Sequence, residues 1–114
     1  MIKENKIYNT AVILCGGRGT RLGVLGKKMP KTLVKIQGKP IIWYIINILK
    51  KNSFNHFVIP LGYKGKMIKN YIKNNPYFKD LNIETENTGV NTTISNRINL
   101  IRNKIKSQNF LLLN

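Results

Sequence analysis

A chain of 114 residues, with a mass of 13.1 kDa, is long enough for one small domain with its own hydrophobic core. Its hydrophobic content of 42% and its ten aromatic residues exclude an intrinsically disordered class. The longest apolar runs, 11–15 and 41–46, are far shorter than the roughly 20 residues that cross a bilayer. With a charged N-terminus unlike a signal peptide and a single cysteine, we expect a cytoplasmic protein without a disulfide.

The charges are unevenly distributed along the chain. The formal net charge is +16, and residues 5–79 contain fifteen Lys or Arg and no carboxylate. The acidic residues are Glu4, Asp80, Glu84 and Glu86. This pattern argues against catalysis by two opposed carboxylates, and one cysteine with one histidine cannot supply a four-ligand zinc site. Three anionic partners remain open, namely nucleic acid, a membrane surface or a phosphorylated small molecule, beside the alternative that the lysines only form a solvated face.

The first predicted strand is the apolar run 10–14, which leads into a glycine-rich loop, and residues 15–40 are predicted to be mostly loop. A helix over 41–51 follows Pro40, because its apolar residues recur at spacings of three and four. The remaining elements alternate in the same way: a strand over 57–61, a helix around 67–72 that ends at 74–76, a strand over 81–86, a helix over 94–105 and a strand from 110.

Strictly alternating strands and helices predict an α/β fold, Rossmann-like, with three α/β/α layers and a mostly parallel sheet. In such folds ligands bind at the carboxyl ends of the strands. The apolar strand from 110 is expected to be buried and central. We therefore expect residues 1–114 to be the N-terminal nucleotide-binding part of a single larger domain, incomplete at the C-terminus.

The loop after the first strand is the strongest candidate for a phosphate site. Three glycines there let backbone N–H groups approach an anion, and two arginines add positive charge. The loop lacks the glycine pattern of a Rossmann fingerprint and the Gly-Lys-Ser/Thr ending of a Walker A loop. Its sequence is Cys15-Gly16-Gly17-Arg18-Gly19-Thr20-Arg21-Leu22.

A second stretch, Pro30-Lys31 followed by Gly38-Lys39-Pro40-Ile41, completes a recognisable signature. Together the two stretches resemble the sugar-phosphate nucleotidyltransferases, in which strand, Gly-Gly-x-Gly-Thr-Arg-Leu, Pro-Lys and Gly-Lys-Pro-Ile occur in this order. The later motifs resemble the glucose-1-phosphate cytidylyltransferase branch; they are Gly62-Tyr63-Lys64-Gly65, Thr88-Gly89, Thr93 and Arg97. The chain departs from the branch at 94–97, where Ile-Ser-Asn-Arg replaces a segment with two glycines.

The resemblance implies the nucleotide-diphospho-sugar transferase fold and the transfer of CMP from CTP to a sugar 1-phosphate, for surface polysaccharide synthesis. It implies that Arg21 neutralises the departing pyrophosphate and that Lys31 bridges the α-phosphate and the acceptor phosphate. The nucleotide-binding residues implied are Leu14, Gly16, Gly17, Gly19, Thr20, Arg21, Thr88 and Gly89. Open alternatives are dTTP, UTP or GTP as donor, a non-sugar phosphate as acceptor, or an inactive nucleotide-binding fragment.

The resemblance also implies Mg²⁺ as cofactor, with its aspartate ligand beyond Asn114. We therefore expect the 114-residue chain alone to be inactive. A nucleoside triphosphate and a sugar 1-phosphate are the expected partners, with homo-oligomerisation of the full-length protein and with no specific nucleic acid or membrane partner.

Four side chains outside these motifs receive structural rather than catalytic interpretations. Cys15 is expected to be a small buried hydrophobe, and His56 a surface residue or one with satisfied hydrogen bonds. Trp43 and Tyr44 are expected in the core or at a subunit contact.

Overall fold

The computed structural model describes residues 7–16, 23–24 and 28–114. Its strands, in chain order, are β1 (Thr10–Ile13), β2 (Lys35–Ile36), β3 (Lys39–Pro40), β4 (His56–Leu61), β5 (Asn82–Asn87) and β6 (Phe110–Leu113). Its helices are α1 (Ile41–Lys51), α2 (Gly65–Asn74) and α3 (Ile94–Ile101). Short 3₁₀ turns cover Lys31–Leu33, Pro76–Phe78 and Arg102–Lys104.

Four strands form one parallel sheet in the order β5-β4-β1-β6. In the register, Thr10 lies between His56 of β4 and Phe110 of β6. Every pairing in this sheet is parallel, because each strand is followed by a connection that returns the chain to the same end. The predicted parallel α/β sheet is therefore confirmed.

The helices cover both faces of the sheet. Ala11 and Ile13 of β1 belong to the larger core cluster, which includes Ile42 and Ile46 of α1 and Ile68 of α2. The intervening Val12 belongs to a second cluster on the opposite face, formed with Val58 and Ile101 of α3. Because side chains alternate along a strand, adjacent residues of β1 face different helices and hold three layers together.

The third helix is shorter than its sequence pattern predicted. α3 ends at Ile101, a 3₁₀ turn follows, and the backbone of Ile105 is extended. Ile105 still packs against the cluster of Val12 and Val58. The isoleucine spacing thus reports burial on one face, and the tighter turn and extended segment reach the same face without a continuous helix.

Residues 35–40, predicted as loop, form the antiparallel hairpin β2–β3. Its turn contains Gln37 and Gly38 with φ of 49° and 84°. Two consecutive positive φ angles fit the twist of a two-residue hairpin.

β6 is the outer strand of the described sheet, and its expected central position in a larger domain stays a prediction. It pairs with β1 on one side, and Phe110, Leu111 and Leu112 are 37–40% exposed. None of the described helices is long and apolar enough to cross a membrane.

Candidate functional site

The carboxyl end of β1 is the point where the site is built. The backbone N–H of Leu14 donates to the carbonyl of Leu113 at 2.8 Å, and Cys15 forms a parallel bridge with Leu61. The carbonyl of Gly16 then accepts from the N–H of Tyr63 at 3.4 Å. The chain leaving β1 is thus held between the ends of β4 and β6, at the edge where parallel α/β sheets bind ligands.

Two of the cavities at this edge lie beside the end of β1, and Leu14 and Asn114 line both. The first has a volume of about 260 Å³ and contains the predicted catalytic Lys31; its lining is Ile13, Leu14, Cys15, Lys31, Thr32, Ile41, Ile45, Leu113 and Asn114. The second, of about 250 Å³, contains the predicted Gly16; its lining is Leu14, Gly16, Val90, Thr92, Ile94, Arg97 and Asn114. Two predicted site residues from separate motifs therefore line neighbouring cavities that share Leu14.

Lys31 reaches its cavity because the chain turns sharply after Pro30. Pro30 is extended, with φ of −67°, and Lys31 begins the 3₁₀ turn that follows. Leu33 of the same turn packs into the larger core cluster, which anchors the turn while Lys31 stays exposed. A core leucine two residues away thus fixes the position of a solvent-accessible cation.

Arg97 is the central side chain of the second cavity, although the sequence indicated it only as part of a motif. It is 95% buried. Its guanidinium donates to four acceptors: the carbonyls of Thr92 (3.1 Å), Val90 (3.1 Å) and Leu61 (3.4 Å) and the hydroxyl of Thr88 (2.8 Å). These acceptors are all neutral, and within the described part of the chain no carboxylate pairs with Arg97. The cavity therefore carries an uncompensated positive charge.

Two glycines make room for this guanidinium. A Cβ on Gly16 would lie 2.5 Å from Cζ of Arg97, and a Cβ on Gly62 would lie 2.6 Å from its Nη1. Both distances are shorter than real Cβ contacts. Neither position can therefore carry a side chain while Arg97 occupies this place. The signal that could have found Arg97 is the presence of glycine after both neighbouring strands, β1 and β4, together with an arginine that has no acidic neighbour.

Thr88 and Gly89 hold the loop after β5 and do not line either cavity. The Thr88 hydroxyl donates to the carbonyl of Leu61 at 2.9 Å and accepts from Arg97, while its backbone N–H donates to the same carbonyl. Gly89 has φ of +91°, a conformation that favours glycine. In this structure Thr88 therefore positions Arg97.

The segment 94–97, which lacks the two glycines of the family pattern, forms the first turn of α3. Thr93 is the N-cap, and its side chain accepts from the N–H of Asn96 at 3.2 Å. Ile94 is 46% exposed and lines the second cavity. Arg97 lies one turn from the cap, so the cap and the helix fix where its side chain begins.

Four of the predicted nucleotide-binding residues, Gly17, Gly19, Thr20 and Arg21, lie outside the described residues.

Cys15 is a buried member of the larger core cluster, which confirms the expectation of a small hydrophobe. Burial raises the pKa of its thiol to about 12, with the Thr32 hydroxyl acting in the opposite direction. The thiol is therefore protonated and a poor nucleophile at neutral pH.

His56 is fully buried at the other end of the sheet, with both ring nitrogens bonded. Nδ1 lies 2.8 Å from the Thr10 hydroxyl, and Nε2 lies 2.6 Å from the Glu84 carboxylate. Of the two expectations for His56, the one with satisfied hydrogen bonds is confirmed, and the surface position is wrong. The hydrogen bond from His56 lowers the pKa of Glu84, with the charges of Lys106 and Lys104 adding to the effect.

The described carboxylates do not fit a magnesium site beside Lys31. Glu84 is bound to His56, and Glu86 lies 3.5 Å from the ammonium of Lys104. Asp80, Glu84 and Glu86 line neither the cavity of Lys31 nor that of Arg97. The described ranges contain no group of three His, Cys, Asp or Glu that could hold a metal ion.

The chain is similar to several known proteins in sequence and in fold. The family described as Nucleotidyl transferase matches residues 10–114. A probable glucose-1-phosphate cytidylyltransferase of Bacillus subtilis is 37% identical, with 90% of this chain and 48% of that protein covered. The glucose-1-phosphate cytidylyltransferase of Salmonella typhimurium is 47% identical over 56% of this chain and 25% of its own length.

The solved structure of HddC from Yersinia pseudotuberculosis complexed with GMP-PN is similar in three dimensions. Its TM-score is 0.73 at 27% identity, and the match covers 91% of this chain and 46% of that one. The chain spans about half the length of the Bacillus subtilis relative and a quarter of the length of the Salmonella typhimurium relative.

Proposed function

The chain belongs to the nucleotidyl transferase family of sugar-phosphate enzymes, and from this premise we propose that it transfers CMP from CTP to a sugar 1-phosphate. The products are a CDP-sugar and pyrophosphate, for surface polysaccharide synthesis. The acceptor phosphate oxygen forms a bond to the α-phosphorus of CTP, and the bond from that phosphorus to the β-phosphate oxygen breaks. We further propose a cytoplasmic location and a homo-oligomeric full-length protein.

The observation that carries the proposal is the buried Arg97 guanidinium against Gly16, at the carboxyl end of β1. A cation held by neutral acceptors favours a ligand that brings negative charge or carbonyl oxygens. Each of the two cavities is smaller than the roughly 300–1,000 Å³ of a typical small-molecule site. We propose that the nucleotide lies across both cavities, passing over Leu14, which they share.

In this arrangement Lys31 lies at the reacting phosphates. Its ammonium is a compact point charge on a flexible stem, suited to oxygens shared by the α-phosphate and the acceptor. Such a charge lowers the barrier when it stabilises the transition state more than the bound substrates. Arg21 is proposed to neutralise the pyrophosphate as it leaves. Mg²⁺ is proposed as cofactor with its ligand beyond Asn114, since the described carboxylates lie elsewhere.

The choice of cytidine rests on the cytidylyltransferase relatives. Guanylyl transfer is the second candidate, because the similar HddC structure contains GMP-PN. Isothermal titration of the chain with CTP, GTP, UTP, dTTP and ATP, each at several salt concentrations, tests the choice. We expect the lowest Kd for CTP. Equal affinity for all five and for duplex DNA, weakening together as salt rises, would show unspecific attraction to polyanions and refute nucleotide recognition.

The role of Lys31 needs a separate test in a longer polypeptide that contains this chain and turns over substrate. Lys31→Ala should lower kcat by at least a hundredfold, an effect typical of losing one preorganised charge, while the Kd of CTP changes little. Lys28→Ala is the matched control, since Lys28 is an exposed lysine that does not line the first cavity. Normal turnover in the Lys31 variant would refute its catalytic role.

A further inference from the structure

The face of the sheet covered by α1 and α2 is strongly and uniformly basic. Residues 28–79, which supply both helices and the hairpin β2–β3, contain eleven lysines and no acidic residue. The described carboxylates lie outside this segment, at Asp80 and on β5. The two described arginines, Arg97 and Arg102, lie in or directly after α3, which packs on the opposite face. The cations of the α1–α2 face are therefore lysines.

Two exposed isoleucines lie among these lysines. Ile36 of the hairpin is 53% exposed and Ile48 of α1 is 58% exposed. Tyr44 connects them, because its hydroxyl donates to the carbonyl of Ile36 at 2.7 Å and Ile48 follows it by one helical turn. Trp43 contacts the Tyr44 ring edge-on, with 5.1 Å between centroids, and both rings are half-buried. Trp43 also packs against the larger core cluster and the Tyr77 ring. We call the exposed Ile36 and Ile48, together with the half-buried Trp43 and Tyr44, the α1 patch.

One lysine contacts the α1 patch, and three others are close to it along the chain. Lys39 places its ammonium 4.6 Å from the centroid of the Trp43 ring. Lys35 precedes Ile36 in β2, and Lys50 and Lys51 are exposed at the end of α1. Lysine stems can cover apolar surface while their ammonium groups reach the polar side of an interface. The arrangement combines exposed isoleucines, a Trp–Tyr pair and four lysines.

We propose that the α1 patch binds the surface of an anionic lipid bilayer. Ile36 and Ile48 enter the boundary between headgroups and acyl chains, Trp43 and Tyr44 lie at headgroup depth, and the lysines contact lipid phosphates. A two-fold contact with a second copy is disfavoured, because it would bring the same lysines against each other. Nucleic acid is disfavoured because exposed isoleucines add nothing to phosphate contacts. The proposal replaces the expectation of no membrane partner with a peripheral one.

Co-sedimentation with vesicles tests the proposal. The chain is mixed with phosphatidylcholine vesicles or with vesicles containing about 30% phosphatidylglycerol, at near-physiological salt where the Debye length is about 8 Å. We expect binding to the anionic vesicles only. The double substitution Ile36→Asn and Ile48→Asn should weaken binding on the order of tenfold, and Lys39→Gln by about fivefold. The controls on the α3 side, Leu100→Asn and Arg102→Gln, should leave binding unchanged; Leu100 is also 53% exposed.

Three outcomes would overturn the proposal. One is no binding to anionic vesicles at this salt concentration by a chain whose circular dichroism shows it folded. The second is binding that Leu100→Asn weakens as much as the isoleucine pair does. The third is binding that a single-stranded oligonucleotide displaces while the isoleucine variant still binds fully. That result would indicate general attraction of polyanions to the lysines. Neither readout depends on nucleotide binding.

Discussion

The buried hydrogen-bond chain from Thr10 through His56 to Glu84 connects three neighbouring parallel strands, and breaking it should destabilise the fold. Glu84→Ala removes the carboxylate that lies 2.6 Å from Nε2 of the fully buried imidazole. An unsatisfied buried polar atom costs about 1–3 kcal/mol. The Glu84 side chain is 31% exposed, so water can partly replace it, and we expect a loss of about 1–2 kcal/mol at pH 7.

The effect should depend on pH in a direction fixed by the pKa of Glu84. The hydrogen bond from His56 lowers this pKa in the folded protein. The carboxylate therefore contributes its full stabilisation above the unfolded pKa of about 4.3 and loses it as the pH falls through the lower, folded value. The difference in stability between the wild type and Glu84→Ala should shrink over that acidic range.

Urea denaturation followed by circular dichroism, at several pH values between 3 and 7, measures this difference. Glu86→Ala is the matched control, because Glu86 is on the same strand and its 44% exposed side chain pairs with Lys104 at 3.5 Å. An exposed pair of this kind contributes about 0–1 kcal/mol. Equal losses for the two variants, or a loss for Glu84→Ala that stays constant down to pH 3, would refute the assigned role of the chain.

Two further substitutions test the second cavity. Gly16→Ala should displace Arg97, whose Cζ would lie 2.5 Å from the new Cβ, and should raise the Kd of CTP by at least tenfold in a calorimetric titration. The control is Gly38→Ala, at a hairpin glycine with φ of +84° and open space around it. It should lower stability without changing that Kd. Thr93→Ala should cost about 1 kcal/mol of unfolding free energy in urea, because it removes the N-cap bond to Asn96; a change below about 0.3 kcal/mol would contradict the capping role.

Local patterns predicted an element best where its buried residues follow a clear spacing and a proline or glycine marks its start or end. The helix over 41–51 has the predicted bounds, since Pro40 fixes its start and Ile42, Ile46 and Leu49 repeat on one buried side. The strand before the glycine loop was recognised for the same reason: every residue of β1 is buried. Where a residue's neighbours are its own sequence neighbours, the sequence contains the information that is needed.

Contacts between distant segments could not be predicted in this way. Arg97 meets Gly16 and Gly62 only after β1, β4 and α3 assemble, so its sequence motif did not show how deeply it is buried. His56 likewise finds Thr10 and Glu84 on two other strands, which turns a residue of uncertain exposure into a fully buried one. In both cases the sheet register, and not local propensity, creates the environment.

The separation of cations and carboxylates leads to the last prediction, that the 114-residue chain binds CTP but makes no CDP-sugar at any Mg²⁺ concentration. Lys31 and Arg97 line the two cavities, whereas Glu84 and Glu86 are engaged with His56 and Lys104 elsewhere. Without an Asp or Glu side chain at the phosphates, a divalent ion lacks a side-chain ligand there, and several kcal/mol of transition-state stabilisation are absent. Turnover is measured with glucose 1-phosphate as acceptor, by chromatographic detection of CDP-glucose and by a coupled assay of pyrophosphate release. A parallel calorimetric titration confirms that the same sample binds CTP. Turnover that Lys31→Ala abolishes would exclude a contaminating enzyme and would show that the residues of this chain suffice for the metal site, contrary to the reasoning from its carboxylates.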